Sequence, residues 1–456
     1  MASETNKRAG MDMLNGSIWN KLIIFALPIL ASSVLQQLFN AADVAVAGRF
    51  AGSTALAAVG STGALINLII NLFVGCATGC NVLIARQVAR KDELSVKEAV
   101  STSLIFAVVS GLFLIVVGYF LARPLLLLMG SPEDVIEHST IYIKIYFVGM
   151  PFLMVYNFGA AILRSVGDTK RPLIALALSG IINVILNIVF VAVFKMGVSG
   201  VALATIISEG ISASLVIRFL THYDGMIKLD FKNLKFNVKH LKSLVSIGLP
   251  AGLQGCVFSL SNVCIQSGIN SFGSVAMAGN AAAMNYESLS YFISSAYVQS
   301  AITFASQNYA VGNYKRTKSV HHDALFICMI SMFIFDMLVF TFRAPLLTVF
   351  TSEEDVMAYG FMKFEMCLVP HAMIAIYEVT AGILRAMGKS LLPALICIIG
   401  TCAVRLGWVY FIFPLHRTFK FLLAVYPVSW LITATLMVTA YQIMKKKLLI
   451  IDKKPN

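Results

Sequence analysis

Charge is what this chain has least of. Only 12% of its 456 residues are Asp, Glu, Lys or Arg, about half of the roughly 25% that a soluble domain carries. Histidine is also scarce, at seven residues, and only His371 falls well inside an apolar run. It reads as a packing residue rather than a proton relay. No P-loop, HExxH or GxSxG pattern stands in a credible context, which argues against hydrolysis of nucleotides or peptides and against an enzyme. The eight cysteines all lie within apolar runs. They form no disulfide framework, and even the Cys76/Cys80 pair has no His or carboxylate beside it, so packing is their expected role.

What fills the chain instead is hydrocarbon. The composition is 58% hydrophobic, and the mean hydropathy is +0.83. Apolar runs of about 20 residues recur from end to end, each long enough to cross a bilayer as a helix. They are continuous rather than alternating, which excludes a β-barrel. The first run is longer than a signal-peptide core and lacks a cleavage pattern, so it is expected to be a retained span. Twelve spans are predicted, at 18–45, 55–84, 98–121, 138–163, 172–194, 199–220, 242–269, 276–308, 320–342, 357–384, 391–413 and 421–444.

The chain also repeats itself. GSTALA at 52–57 returns as GSVAMA at 273–278, PLLLLMGSPEDV at 124–135 as PLLTVFTSEEDV at 345–356, and ILRSVGDTKRP at 162–172 as ILRAMGKSLLP at 383–393, each 221 residues later. The copies are too long for solenoid units. They predict an all-α membrane protein of two homologous six-helix lobes, 1–220 and 242–456 (the latter with a cytoplasmic tail), joined by a cytoplasmic linker at 221–241. The even span count gives both copies one orientation, hence a pseudo-two-fold axis along the membrane normal, as in parallel-repeat transporters. The linker, THYDGMIKLDFKNLKFNVKHL, is expected to carry an interfacial amphipathic helix.

The net charge of +13 follows from topology. With the N-terminus inside, 26 of the 35 Lys and Arg fall in inside segments, six in outside loops, and three (Lys144, Lys363 and Arg405) within spans. That bias places both termini in the cytoplasm. It also removes the case for nucleic-acid binding, because the charge is spread over loops at one membrane face.

Intramembrane acids carry the functional signal, since a carboxylate at the bilayer centre costs about 2.5–3.5 kcal/mol on insertion scales. Asp336, close to Arg343, and Glu365, close to Lys363, are read as near-interface residues, and Glu209 as ambiguous. Asp43 is the stronger candidate. It closes a polar stripe of Gln36, Asn40 and Asp43, spaced to share one helix face, in a helix that Pro28 permits to bend. In the second half, Glu287, Glu378 and Arg405 leave one excess negative charge. The expected arrangement pairs one Glu with Arg405 and leaves the other free for a proton or a cationic substrate. Tyr156, Tyr286, Tyr291 and Tyr377 are candidates to line the cavity and stack on a planar cation.

The Leu-Pro pair of the first span, its Asn-x-x-Asp, the following Gly-Arg-x-x-Gly, the twelve spans, the repeat and the Leu-Arg-x-x-Gly after spans four and ten together resemble the bacterial branch of the multidrug and toxic compound extrusion (MATE) family. The resemblance covers essentially the whole chain. It implies an ion site at Asp43, Asn157, Asn183, Asn187 and Thr205. Many members carry a second Asp where this chain has Asn187, which can ligate a cation but brings no charge. The coupling ion is therefore expected to be H⁺ or Na⁺, with no other cofactor. The implied function is antiport by alternating access, exporting amphipathic, cationic organic compounds from a monomer in the bacterial cytoplasmic membrane, with lipids as its surroundings. A flippase of lipid-linked saccharides is the alternative, disfavoured because few basic residues lie within spans.

Overall fold

The computed structural model describes residues 10–128 and 133–452. The middle of the 124–135 repeat segment and the end of the C-terminal tail lie outside these. All regular structure among the described residues is helical. In the first half, α1 is Ile18–Val46, α2 Ser53–Ala89, α3 Glu93–Leu128, α4 Glu133–Val148, α5 Met150–Ser165, α6 Lys170–Asn187 and α7 Gly197–Thr221. In the second, α8 is Val238–Asn270, α9 Ser274–Ala310, α10 Tyr314–Thr341, α11 Arg343–Thr348, α12 Glu354–His371, α13 Met373–Ala386, α14 Leu391–Cys397, α15 Val404–Gly407, α16 Phe419–Leu423 and α17 Val425–Asp452.

The duplication governs where helices begin. Ser53 and Ser274, Glu93 and Tyr314, Glu133 and Glu354, and Lys170 and Leu391 open matching helices. The repeated GS that enters α2 and α9 has a backbone reason: Gly52 and Gly273 hold φ of 90° and 88°, a region that side chains disfavour.

Among the described residues, nine helices are long and apolar enough to cross a membrane singly, and two further spans are broken helices. The fourth expected span bends by 49° between α4 and α5, and the tenth by 45° between α12 and α13. Sequence reading treated both as continuous. Pro151 starts α5 and Pro370 nearly ends α12, and a proline removes a helical hydrogen bond where it stands. The remaining span is α9. Its 37 residues reach about 55 Å, but Asn280, Asn285, Glu287 and many serines leave it too polar to stand out by hydropathy. Twelve spans result.

Leu112, Phe113, Val116 and Phe120 of α3 are all more than half exposed. Such an apolar face is stable only against lipid.

Two compact units are defined by their internal packing. One holds the described residues up to Met13 together with Leu27–Gly252; the other holds Leu14–Ala26 together with the described residues from Leu253. The chain thus changes unit beside Pro28 and beside Pro250, each inside its helix. Within the first unit, α2 and the start of α8 meet through two small-residue pairs, Gly75/Gly79 and Gly248/Gly252. A Cβ on Gly75 would stand 2.2 Å from the Gly252 amide nitrogen, and one on Gly79 2.3 Å from the Leu244 carbonyl oxygen. Close backbone approach of this kind supplies the van der Waals contact that holds helices together in lipid, where no hydrophobic drive exists between them.

The expected amphipathic helix of the linker is not formed. Between Thr221 and Val238 the only helical segment is the single turn Phe231–Asn233. Turn chemistry prevails there. The Asp230 carboxylate accepts from the Lys232 amide and from the Asn233 side chain, and these bonds hold its pKa below the ordinary carboxylate value. The segment is tied to α3 instead: Asn237 donates its side-chain amide to Glu98 at 2.6 Å and its backbone N–H to Thr102 Oγ1 at 3.0 Å, while Tyr223, Ile227 and Leu229 are buried.

Candidate functional site

Three helices of the first unit bring four of the expected residues together. Asp43 comes from α1, Asn183 and Asn187 from successive turns of α6, and Thr205 from α7. Asn187 donates its amide to Asp43 Oδ1 at 2.5 Å and to Asn183 Oδ1 at 3.1 Å. The Thr205 hydroxyl lies 3.5 Å from Asp43 Oδ2 and 3.0 Å from the Val201 carbonyl of its own helix. Asp43 is 8% exposed and Asn187 fully buried. Asn187 Oδ1 is buried with no hydrogen-bond partner, an unused acceptor beside a carboxylate. Just beyond the site, α1 and α6 both widen into π-helical turns, Ala47–Ala51 and Ile188–Val193. Such bulges are frequent where a helix serves a functional site.

The donor set is all oxygen: one carboxylate, two amide carbonyls and a hydroxyl. That chemistry suits a hard monovalent cation or a proton on Asp43.

Asn157 does not join this group. Its amide bonds to the Leu153 carbonyl of its own helix at 2.9 Å. Gln36 and Asn40 are exposed while Asp43 is buried, so the expected stripe is divided between two environments. A further acid lies nearby. Glu209 stands one turn beyond Thr205 on α7, and the Asp43 charge bears on it, as both charges do on Tyr142 and Tyr146 of α4. A Cβ on Gly149 would stand 3.0 Å from Glu209 Oε2, so this carboxylate sits against the break between α4 and α5. The signal was present in the sequence as the i, i+4 spacing of Thr205 and Glu209.

The second unit departs from expectation. Glu287 of α9 pairs with Lys363 of α12 at 3.0 Å, not with Arg405. Lys363 is 1% exposed, far from the helix-end position that its neighbour Glu365 suggested. Glu365 does lie at the surface, paired with Lys420 at 2.9 Å. Arg405 donates to Asn262 at 2.8 Å and to Ser429 at 3.3 Å, and its guanidinium lies over the rings of Phe258 and Tyr426. Glu378 has no hydrogen bond or ion pair among the described residues; Arg385, itself bound to Gln254, is the opposite charge acting on it. Asp336 is fully buried, 3.3 Å from His371, whose Nδ1 also meets Ser290 Oγ at 3.0 Å. Counting Lys363 and Arg385 with Arg405, the acids of this unit hold no excess of negative charge.

The tyrosines divide. Tyr156 is buried and donates to the Pro172 carbonyl, Tyr377 is buried, and Tyr286 is half-buried and donates to the Leu346 carbonyl. Only Tyr291 is exposed, at 38%.

A duplicated twelve-span helical fold with a buried polar site in one half defines a membrane transporter of the MATE type. The chain belongs to that family: the MatE family model matches it twice, at residues 28–189 and 250–411, the matches opening on Pro28 inside α1 and Pro250 inside α8. Among curated relatives, the probable multidrug resistance protein YoeA of Bacillus subtilis is 28% identical over 94% of this chain and 95% of its own length. The probable multidrug resistance protein NorM of Thermotoga maritima is 24% identical over 85% of this chain and 84% of its own. A solved MATE transporter of the MOP superfamily in an outward-facing conformation shares the fold with a TM-score of 0.88 at 20% identity, covering 98% of this chain and 99% of that one.

Proposed function

We propose that this protein is a secondary antiporter that exports small amphipathic organic compounds in exchange for H⁺ or Na⁺, with the ion taken at Asp43. The observation that carries this reading is the Asp43 carboxylate, buried under Asn187 and Thr205 with the Asn187 carbonyl oxygen unused beside it. A buried carboxylate must be neutralised by a proton or balanced by a cation. Either event removes the same charge from among α1, α6 and α7, and so biases one arrangement of those helices over another. Alternating access follows if the solute binds the two arrangements unequally. Glu209 belongs to the same electrostatic group and is proposed to tune it. Glu378, without a bonded partner, is available to a cationic solute.

The names of the relatives given above support drug export and lend nothing to the flippase alternative. The setting we infer is the bacterial cytoplasmic membrane, with two lobes (1–220 and 242–456), both termini and the 221–241 linker on the cytoplasmic side, a functional monomer and no organic cofactor. Single cysteines placed in the linker should react with an impermeant thiol reagent only from the cytoplasmic side; reaction from outside would invert the topology. The transport reading itself is tested in proteoliposomes with ethidium as the solute. An imposed pH gradient or Na⁺ gradient should accelerate its export severalfold over the no-gradient rate. Indifference to both gradients would remove the antiporter reading.

A further inference from the structure

Two cations in the second unit share one carboxylate. Lys363 and Arg405 are each 1% exposed, and the charges of Lys363, His371 and Arg405 all bear on Glu287. Of the unit's other acids, Asp336 lies 3.3 Å from His371 and Glu365 2.9 Å from Lys420, and Glu378 makes no ion pair among the described residues. Arg405 is otherwise met by neutral groups alone, the Asn262 carbonyl oxygen, the Ser429 hydroxyl and two aromatic faces. Lys363 Nζ stands 3.0 Å from Glu287 Oε2, so the ammonium already has its carboxylate. Lys363 also lies 3.8 Å from the centre of the Tyr426 ring, over which Arg405 stands at 4.8 Å. Arg405 is therefore a buried guanidinium that makes no ion pair with a carboxylate among the described residues. Buried charge in this state is costly unless a partner arrives. Glu287, 18% exposed, is the member of the ion pair that reaches the surface.

From the lack of an acidic partner for buried Arg405 we infer that the Lys363–Arg405 cluster is a binding site for an anionic oxygen group, a carboxylate or phosphate, of a transported solute or of a lipid headgroup. Guanidinium and ammonium groups bind such anions through charge-assisted hydrogen bonds, and the Tyr426 and Phe258 rings offer an apolar wall beside them. The inference rests on the reading of the chain as a transporter of small solutes, and it extends the substrates to compounds with an anionic arm. Glu287 acts as the internal competitor that occupies Lys363 when no ligand is present.

The test is a binding measurement without any gradient, so its failure leaves ion-driven flux untouched and the reverse also holds. The purified full-length protein in phosphatidylcholine nanodiscs is titrated with 7-diethylaminocoumarin-3-carboxylate and with the corresponding carboxamide, which differ only in charge. The carboxylate should bind about tenfold tighter, the value of one charge-assisted hydrogen bond. Arg405→Gln should abolish that preference and Arg405→Lys should keep most of it. Glu287→Gln should strengthen carboxylate binding severalfold by removing the competitor. Lys420→Gln, a surface lysine, should change neither affinity. Displacement of the carboxylate in nanodiscs containing phosphatidylglycerol identifies a lipid headgroup as occupant of the same site; no displacement assigns it to the solute. Equal binding of the two probes, binding of neither, or a preference that survives Arg405→Gln would overturn the inference.

Discussion

Proteoliposomes carrying Asp43→Asn are expected to contain folded protein at normal abundance and to export solute no faster than protein-free vesicles under an imposed ion gradient. The substitution keeps the size of the side chain and one acceptor oxygen, so the bond from the Asn187 amide can persist. It removes the group that a proton or cation neutralises. Solute binding in the absence of a gradient should be retained, because the buried charges of the second unit are unchanged. The converse substitution, Asn187→Asp, places a second carboxylate in direct contact with the first. Two carboxylates at that distance do not both stay ionised without a cation between them, so coupled transport by this variant should become more dependent on Na⁺ or shift in its pH profile. Full gradient-driven export by Asp43→Asn would remove Asp43 from the coupling site.

The second large effect concerns stability. Lys363→Met should destabilise the protein by about 3–5 kcal/mol, the usual cost of removing one partner from a buried pair. The stranded group is Glu287, whose nearest opposite charge is lost. Glu287→Gln combined with Lys363→Met should recover most of that loss, because the ion pair is then removed as a whole. Thermal inactivation midpoints of the two variants in one detergent make the comparison, and the two changes are expected to be strongly non-additive. If the double variant is no more stable than Lys363→Met, the pair is not what holds α9 to α12 at this point.

Much of the architecture was readable because it is local. The duplicated GS at 52–53 and 273–274 records a backbone that must turn through positive φ before a helix, and the same demand recurs 221 residues later. The apolar runs announce spans because lipid requires it. Asp43, Asn183, Asn187 and Thr205 were anticipated as a group, through the family's pattern rather than from spacing. Pairings across long separations were not readable. Nothing near Glu287 in sequence points to Lys363. The spatial neighbour of Asp336 is likewise unannounced by its sequence surroundings: it is His371, at the break between α12 and α13. The linker was misread because its spaced apolar residues suggested a helix, while Asp230 and Asn233 close a turn and Asn237 anchors to Glu98.

The central claim is that one ion site, built on Asp43, couples solute movement to ion movement. The direct measurement is ion flux driven by solute. Proteoliposomes without any ion gradient are loaded with ethidium, diluted into solute-free buffer, and followed with an internal pH indicator and with ²²Na⁺ uptake. The wild-type protein should draw H⁺ or Na⁺ inward as ethidium leaves, and Asp43→Asn should draw neither. Ethidium leaving the wild-type vesicles with no accompanying movement of either ion would contradict the account.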